Sequence, residues 1–141
     1  MQIYIGNTDL EPKKSNKLIA GGNRVNSKKK IGKERLKEIA NCTRIKVVQM
    51  IGKSGFGHIG GSMSIVELLT VLYFYEMNID PKNPQWEDRD RFVLSKGHSC
   101  ISLYAILAQK GYFSEEVLST LDTVDSILQC HPDMKICPGP V

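Results

Sequence analysis

Arg91-Phe92-Val93-Leu94-Ser95-Lys96-Gly97-His98 is the stretch on which the fold reading turns. Its first five residues carry apolar and β-forming side chains and read as a short strand. Lys96-Gly97-His98 breaks that run. From about Ser99 to Lys110 the period changes, with Ile101, Tyr104, Ala105 and Ala108 on one helical face and Gly111 suited to the C-terminal cap. A strand passing through a short loop into a helix is an α/β arrangement. Such loops are where α/β proteins place the groups that meet ligands.

Toward the N-terminus, Asp80-Pro81-Lys82-Asn83-Pro84 reads as a turn, because its prolines fix φ and remove donors. The stretch from Ile65 to Glu76 is apolar nearly all round and predicts a buried helix. Ser64-Ile65-Val66-Glu67 at its start fits a capping box. Before it, Ser54-Gly55-Phe56-Gly57-His58-Ile59-Gly60-Gly61-Ser62 is too glycine-rich to hold a helix or strand well and predicts a loop. Leu36, Ile39, Ala40, Thr43, Val47, Met50 and Ile51 recur at helical spacing, giving an amphipathic helix that ends near Gly52. Toward the C-terminus, Ser114 caps a short helix through Leu121, with Glu115 and Glu116 in its first turn. Residues 130–141 carry three prolines and a glycine and read as irregular. One strand cannot make a sheet, so residues 32–141 are expected to be an incomplete portion of an α/β domain. Residues 1–31 are expected to be a basic, polar, poorly ordered leader.

The 141 residues suffice for one modest domain, and 41% apolar with 24% charged is ordinary for a globular chain. No run approaches the roughly 18 apolar residues of a membrane span. The N-terminus lacks a basic segment followed by an apolar one, so a cytoplasmic location is expected. The formal charge of +4 is concentrated early, at Lys13, Lys14, Lys17, Arg24, Lys28, Lys29, Lys30 and Lys33. A nucleic-acid-binding arm is one reading of that run. No aromatic residues interleave with the lysines as stacking platforms would, so a solvated leader is the simpler account. The four cysteines form no C-x-x-C pair, and Cys130, His131 and Cys137 match no common zinc spacing. Reduced, structural thiols and no metal ligands are expected.

Three histidines remain as candidates for chemistry. His58 lies in the glycine loop, His98 at the start of a helix, and His131 in the proline-rich tail. Free N–H groups and the helix dipole attract anions at a helix N-terminus, so His98 can add a donor to a phosphate. A single loop histidine is nevertheless more often a structural hydrogen-bonding residue. Neither G-x-G-x-x-G nor G-x-x-x-x-G-K-[ST] is present. Lys96 could face an anion or water. The residues by themselves reach an α/β domain whose glycine loop and loop histidines could meet at a polar, anionic ligand.

Three blocks add a resemblance. Gly57-His58 followed by Gly60-Gly61-Ser62 resembles the S-G-H-P-G-G-S loop of transketolases, especially the short N-terminal subunits of two-chain forms. Asp88 to His98 resembles the family's D-R-D-R-F-V-L-S-K-G-H, and Gln129 to Met134 its Q-G-H-P-D-M. The resemblance covers about residues 32–139. It implies a thiamine diphosphate-binding, parallel-sheet domain. It implies transfer of a two-carbon ketol unit between sugar phosphates in pentose phosphate metabolism. His58 and His131 would then be catalytic, touching the sugar, while His98 and Gly97 would face the cofactor's diphosphate. Thiamine diphosphate with Mg2+ and a complementary C-terminal subunit in a homo- or hetero-oligomer are further implications. The family's S-T-G-S-L-G-Q-G loop, its G-D-G motif and the cofactor-activating glutamate do not occur in this sequence. The chain is therefore expected not to bind the cofactor productively alone. Ile59 stands where the family has proline, Phe56-Gly57 lengthens the first loop, Cys130 replaces a glycine and Pro140 an apolar residue. The related 1-deoxyxylulose-5-phosphate synthases share a G-H-x-G-S loop and form the enzyme alternative. A pyruvate requirement would distinguish them.

Overall fold

The computed structural model describes residues 31–139. The leader expected over residues 1–31 therefore falls outside the described residues except for Ile31, as do Pro140 and Val141. Most of the basic run invoked for nucleic-acid binding is outside with it.

Helix α1 spans Lys33–Ser54 and turns Ile39, Ala40, Thr43, Val47 and Met50 inward. It runs past the expected stop at Gly52. The actual end is Gly55, whose φ of 76° is left-handed and whose N–H returns to the Ile51 carbonyl. An interior glycine costs a helix only about 1 kcal/mol, so Gly52 is carried along. The glycine-rich stretch also departs from the expected loop, because Ile59–Met63 form a short helix, α2. Its Ser62 N–H bonds the His58 carbonyl at 2.9 Å, and Ser62 is fully buried.

Helix α3, Val66–Val71, continues as a wider π-helical turn over Leu72–Glu76. Val66, Leu69, Leu72 and Tyr73 are buried, but Val71 and Tyr75 are 39% and 36% exposed, so this helix is not covered all round. The expected capping box does not form. Ile65 occupies the cap position without a side-chain bond. Ser64 instead donates to the Gly61 carbonyl, and Glu67 pairs with Arg44 on α1.

The turn after α3 closes as expected, with Asn83 N–H bonding the Asp80 carbonyl at 3.0 Å. Asn78 and Asp90 then bond reciprocally, Asp90 N–H to the Asn78 carbonyl and Asn78 N–H to Asp90 Oδ2. Arg91–Ser95 follows. Phe92 is buried, Val93 exposed, Leu94 half-buried and Ser95 exposed, the alternation of a strand. Among the described residues, however, there is no strand. A strand is defined by its ladder, and no neighbouring segment here offers one. Among the described residues the expected helices form and the expected strand does not, so these residues do not show the α/β arrangement.

A 3₁₀ turn, Gly97–Ser99, leads into α4, Cys100–Lys110. Every residue from Cys100 to Ala108 is buried, so α4 is the axis of the core, packed by α1, α2 and α3. Each large side chain buried there contributes about 1.5–3 kcal/mol. Gly111 closes α4 at φ 95°. Ser114 accepts from Glu116 N–H as expected, though the turn it caps, Glu115–Thr120, is 3₁₀. The tail is irregular, with Cys137 buried.

Candidate functional site

The four candidate residues meet at the N-terminal end of α4. The two loops that carry His58 and His98 are brought together by α2, and the tail brings His131 to the same place. The rings of His58 and His98 stand edge to face, with centroids 5.3 Å apart. His98 lies on the Gly61 backbone: a Cβ at Gly61 would come within 2.8 Å of His98 Cδ2. His131 lies on Gly97, where a Cβ would come within 2.6 Å of its Nδ1. Any side chain at either glycine would displace a histidine. All three histidines are exposed.

The sequence leaves Lys96 open between an anion and water. Its Nζ instead donates to the Gly61 carbonyl at 2.9 Å and to Ser64 Oγ at 2.8 Å. The lysine thereby ties the glycine loop to the loop before α4 and holds a positive charge beside the histidines. A partner 35 residues away leaves no periodic trace, so no sequence signal could have found it. Ser102 on α4 adds a second tie, donating to the Ser62 carbonyl at 2.8 Å.

Ser62 Oγ and Ser99 Oγ are buried without a hydrogen-bond partner. Buried orphan hydroxyls are uncommon and mark a place built for a polar group or water. Ser99 is the N-cap residue of α4, yet its side chain does not cap. The preceding 3₁₀ turn bonds the Ser99 N–H to the Lys96 carbonyl and the Cys100 N–H to the Gly97 carbonyl, while the positive end of the helix dipole remains at this place. Together with three imidazoles, this end of α4 suits an anionic ligand bearing several oxygens. Among the described residues no group of three or more His, Cys, Asp or Glu is placed to hold a metal ion, and no helix is long and apolar enough to cross a membrane. The four cysteines are free.

A cleft of about 860 Å³ lies at the other end of α4, between Phe74, Asp80, Lys82, Trp86 and Gly111. It contains none of the histidines.

Residues 35–140 match the family described as transketolase, thiamine diphosphate binding domain. The chain belongs to that transketolase family. It is 53% identical over 104 residues to a 6-deoxy-6-sulfo-D-fructose transketolase subunit of Clostridium sp. (strain MSTE9), covering 74% of this chain and 38% of that protein. It is 45% identical over 96 residues to an apulose-4-phosphate transketolase subunit of Phocaeicola vulgatus, covering 68% of this chain and 34% of that protein. Among solved structures, the transketolase of Campylobacter jejuni superposes with a TM-score of 0.72 at 33% identity, over 78% of this chain and 17% of that one. The chain thus spans little more than a third of the first two relatives. In the transketolase frame, the positive end of the α4 dipole, the glycine cradles at Gly61 and Gly97 and the orphan serine hydroxyls fit a diphosphate group.

Proposed function

We propose that this chain forms the diphosphate-facing part of a transketolase that moves a two-carbon ketol unit between sugar phosphates. The observation that carries this reading is the convergence of His58, His98 and His131 on the glycine backbones at the start of α4. His98 and Gly97 would hold the diphosphate of thiamine diphosphate, the imidazole donating to a phosphate oxygen and the backbone leaving room for it. When bound, that cofactor supplies the carbanion-stabilising chemistry. His58 and His131 would donate to the ketose hydroxyl and carbonyl oxygens, and they suit proton movement near neutral pH.

Mg2+ belongs to the same proposal, with its oxygen ligands coming from outside the described residues. So does a complementary subunit, since two relatives are themselves named as subunits. The isolated 141-residue chain is then expected to bind thiamine diphosphate weakly. Tight, Mg2+-dependent binding by isothermal titration would overturn that point. One relative is named for a sulfonated ketose, so the donor's anionic end group is phosphate or sulfonate.

The test is to purify the chain with whatever assembles on it and to assay two-carbon transfer from fructose 6-phosphate and from 6-deoxy-6-sulfofructose. Removing one acid–base or donor group typically costs about 10²–10⁴-fold. Replacing His58, His98 or His131 by alanine is expected to lower the rate by about 100-fold or more. Unchanged rates in all three variants would refute the site, and a pyruvate requirement would move the chain to the synthases.

A further inference from the structure

His131 lies on an irregular tail, yet its ring sits against Gly97 with no spare room. Something must hold the tail. Tyr104 and Cys100 stand one turn apart on the same face of α4. The Tyr104 hydroxyl donates to the Gln129 carbonyl at 2.7 Å, and the Cys100 thiol donates to the Cys130 carbonyl at 3.0 Å. Two successive carbonyls, those immediately before His131, are thus bonded to the helix whose start carries His98. Pro132 follows and restricts the His131 backbone to extended conformations.

We propose that Cys100 and Tyr104 are positioning residues for His131, a pair of donors that seats its ring on Gly97. The proposal rests on the reading of His131 as a site residue. Both donors are buried in the core, Cys100 at 3% and Tyr104 at 0% exposure, so neither touches a substrate. Burial pushes the Cys100 thiol up to about 11 and the Tyr104 hydroxyl upward too. Both therefore keep their proton across the range where imidazoles ordinarily titrate, and the seat does not loosen when a histidine changes charge.

The experiment is NMR of the full chain with labelled histidine and glycine. It compares Tyr104→Phe, Cys100→Ala, the double variant and Cys100→Ser. Tyr104→Phe removes only an oxygen, so it keeps the core filled. The expected result is loss of the His131-ring to Gly97 Hα contact in the double variant and its weakening in each single one. The His58 and His98 signals should stay in place. Cys100→Ser, which restores a donor, should restore the contact. An unchanged contact in the double variant would overturn the proposal. So would a folded Cys100→Ser that behaves like Cys100→Ala, since packing rather than donation would then be at work. In the assembled enzyme the double variant should lower kcat about tenfold with KM little changed. Should the ring move while turnover stays constant, the positioning would stand and the catalytic reading of His131 would fall.

Discussion

The two ends of α4 differ in kind. At its start, three histidine-bearing segments close on Gly61 and Gly97 so tightly that a single added carbon would collide with a ring. At its finish, Gly111 has open space around it and the chain borders a cleft of about 860 Å³. The roomy end carries lysines, asparagines and a tryptophan with no convergent acid–base set. The crowded end carries the imidazoles, a tied lysine and unpartnered hydroxyls. The proposed site thus lies where backbone has been cleared for specific side chains, and not where the cleft is roomiest.

The fully buried body of α4 holds both ends, so the largest effect is expected there. Leu107 is fully buried and touches the tail near Gly139. Leu107→Ala should cost about 2–5 kcal/mol in denaturant unfolding; a loss under about 1 kcal/mol would mean that α4 is not the axis of the core. Next come Gly97→Ala and Gly61→Ala at the crowded end. Forcing a methyl into filled space typically costs about 1–3 kcal/mol, and each variant should also lose most of its two-carbon transfer when assembled. Wild-type rates in either would show that the histidines need no close seating.

At the other end, Gly111→Ala meets no atom but must adopt φ near 95°. A left-handed L-residue costs about 1–2 kcal/mol, and here the thermal midpoint should fall while transfer activity holds. Lost activity would break the comparison by coupling the two ends. Lys82→Ala, an exposed change in the cleft, should stay within about 0.5 kcal/mol of the parent.

The core makes its own prediction with pH. Burial raises Cys100 from its ordinary value near 9 to about 11, Cys137 to about 12 and Tyr112 to about 12. Each raised group binds its proton more tightly when folded. Stability from these groups is complete below the unfolded values near 9 and 10 and is lost as pH climbs through the folded ones. Unfolding free energy measured from about pH 8 to 12 should therefore decline from about pH 9 upward. A flat profile would place these side chains in water.

Much of this was legible before the structure. The helical period of about 3.6 residues marked α1 and α4, an almost wholly apolar stretch marked α3, and a glycine suited to positive φ marked the end of α4. The three histidines were visible as loop residues beside glycine or proline, and family resemblance brought them to one site. The capping box at Ser64 and Glu67 was a false lead, because Lys96 and Arg44 claimed those side chains. The glycine loop hid α2, since short helices in such stretches are held by neighbours rather than by propensity.

By itself, then, the sequence determined which residues could bear chemistry and where the longer helices lie, because period, apolar runs and backbone freedom are local properties. Tertiary structure alone decided that His98 lies on Gly61, that His131 lies on Gly97, and that Cys100 and Tyr104 hold the tail. Those contacts join segments about 25 to 37 residues apart by close packing, and packing leaves no period in a chain.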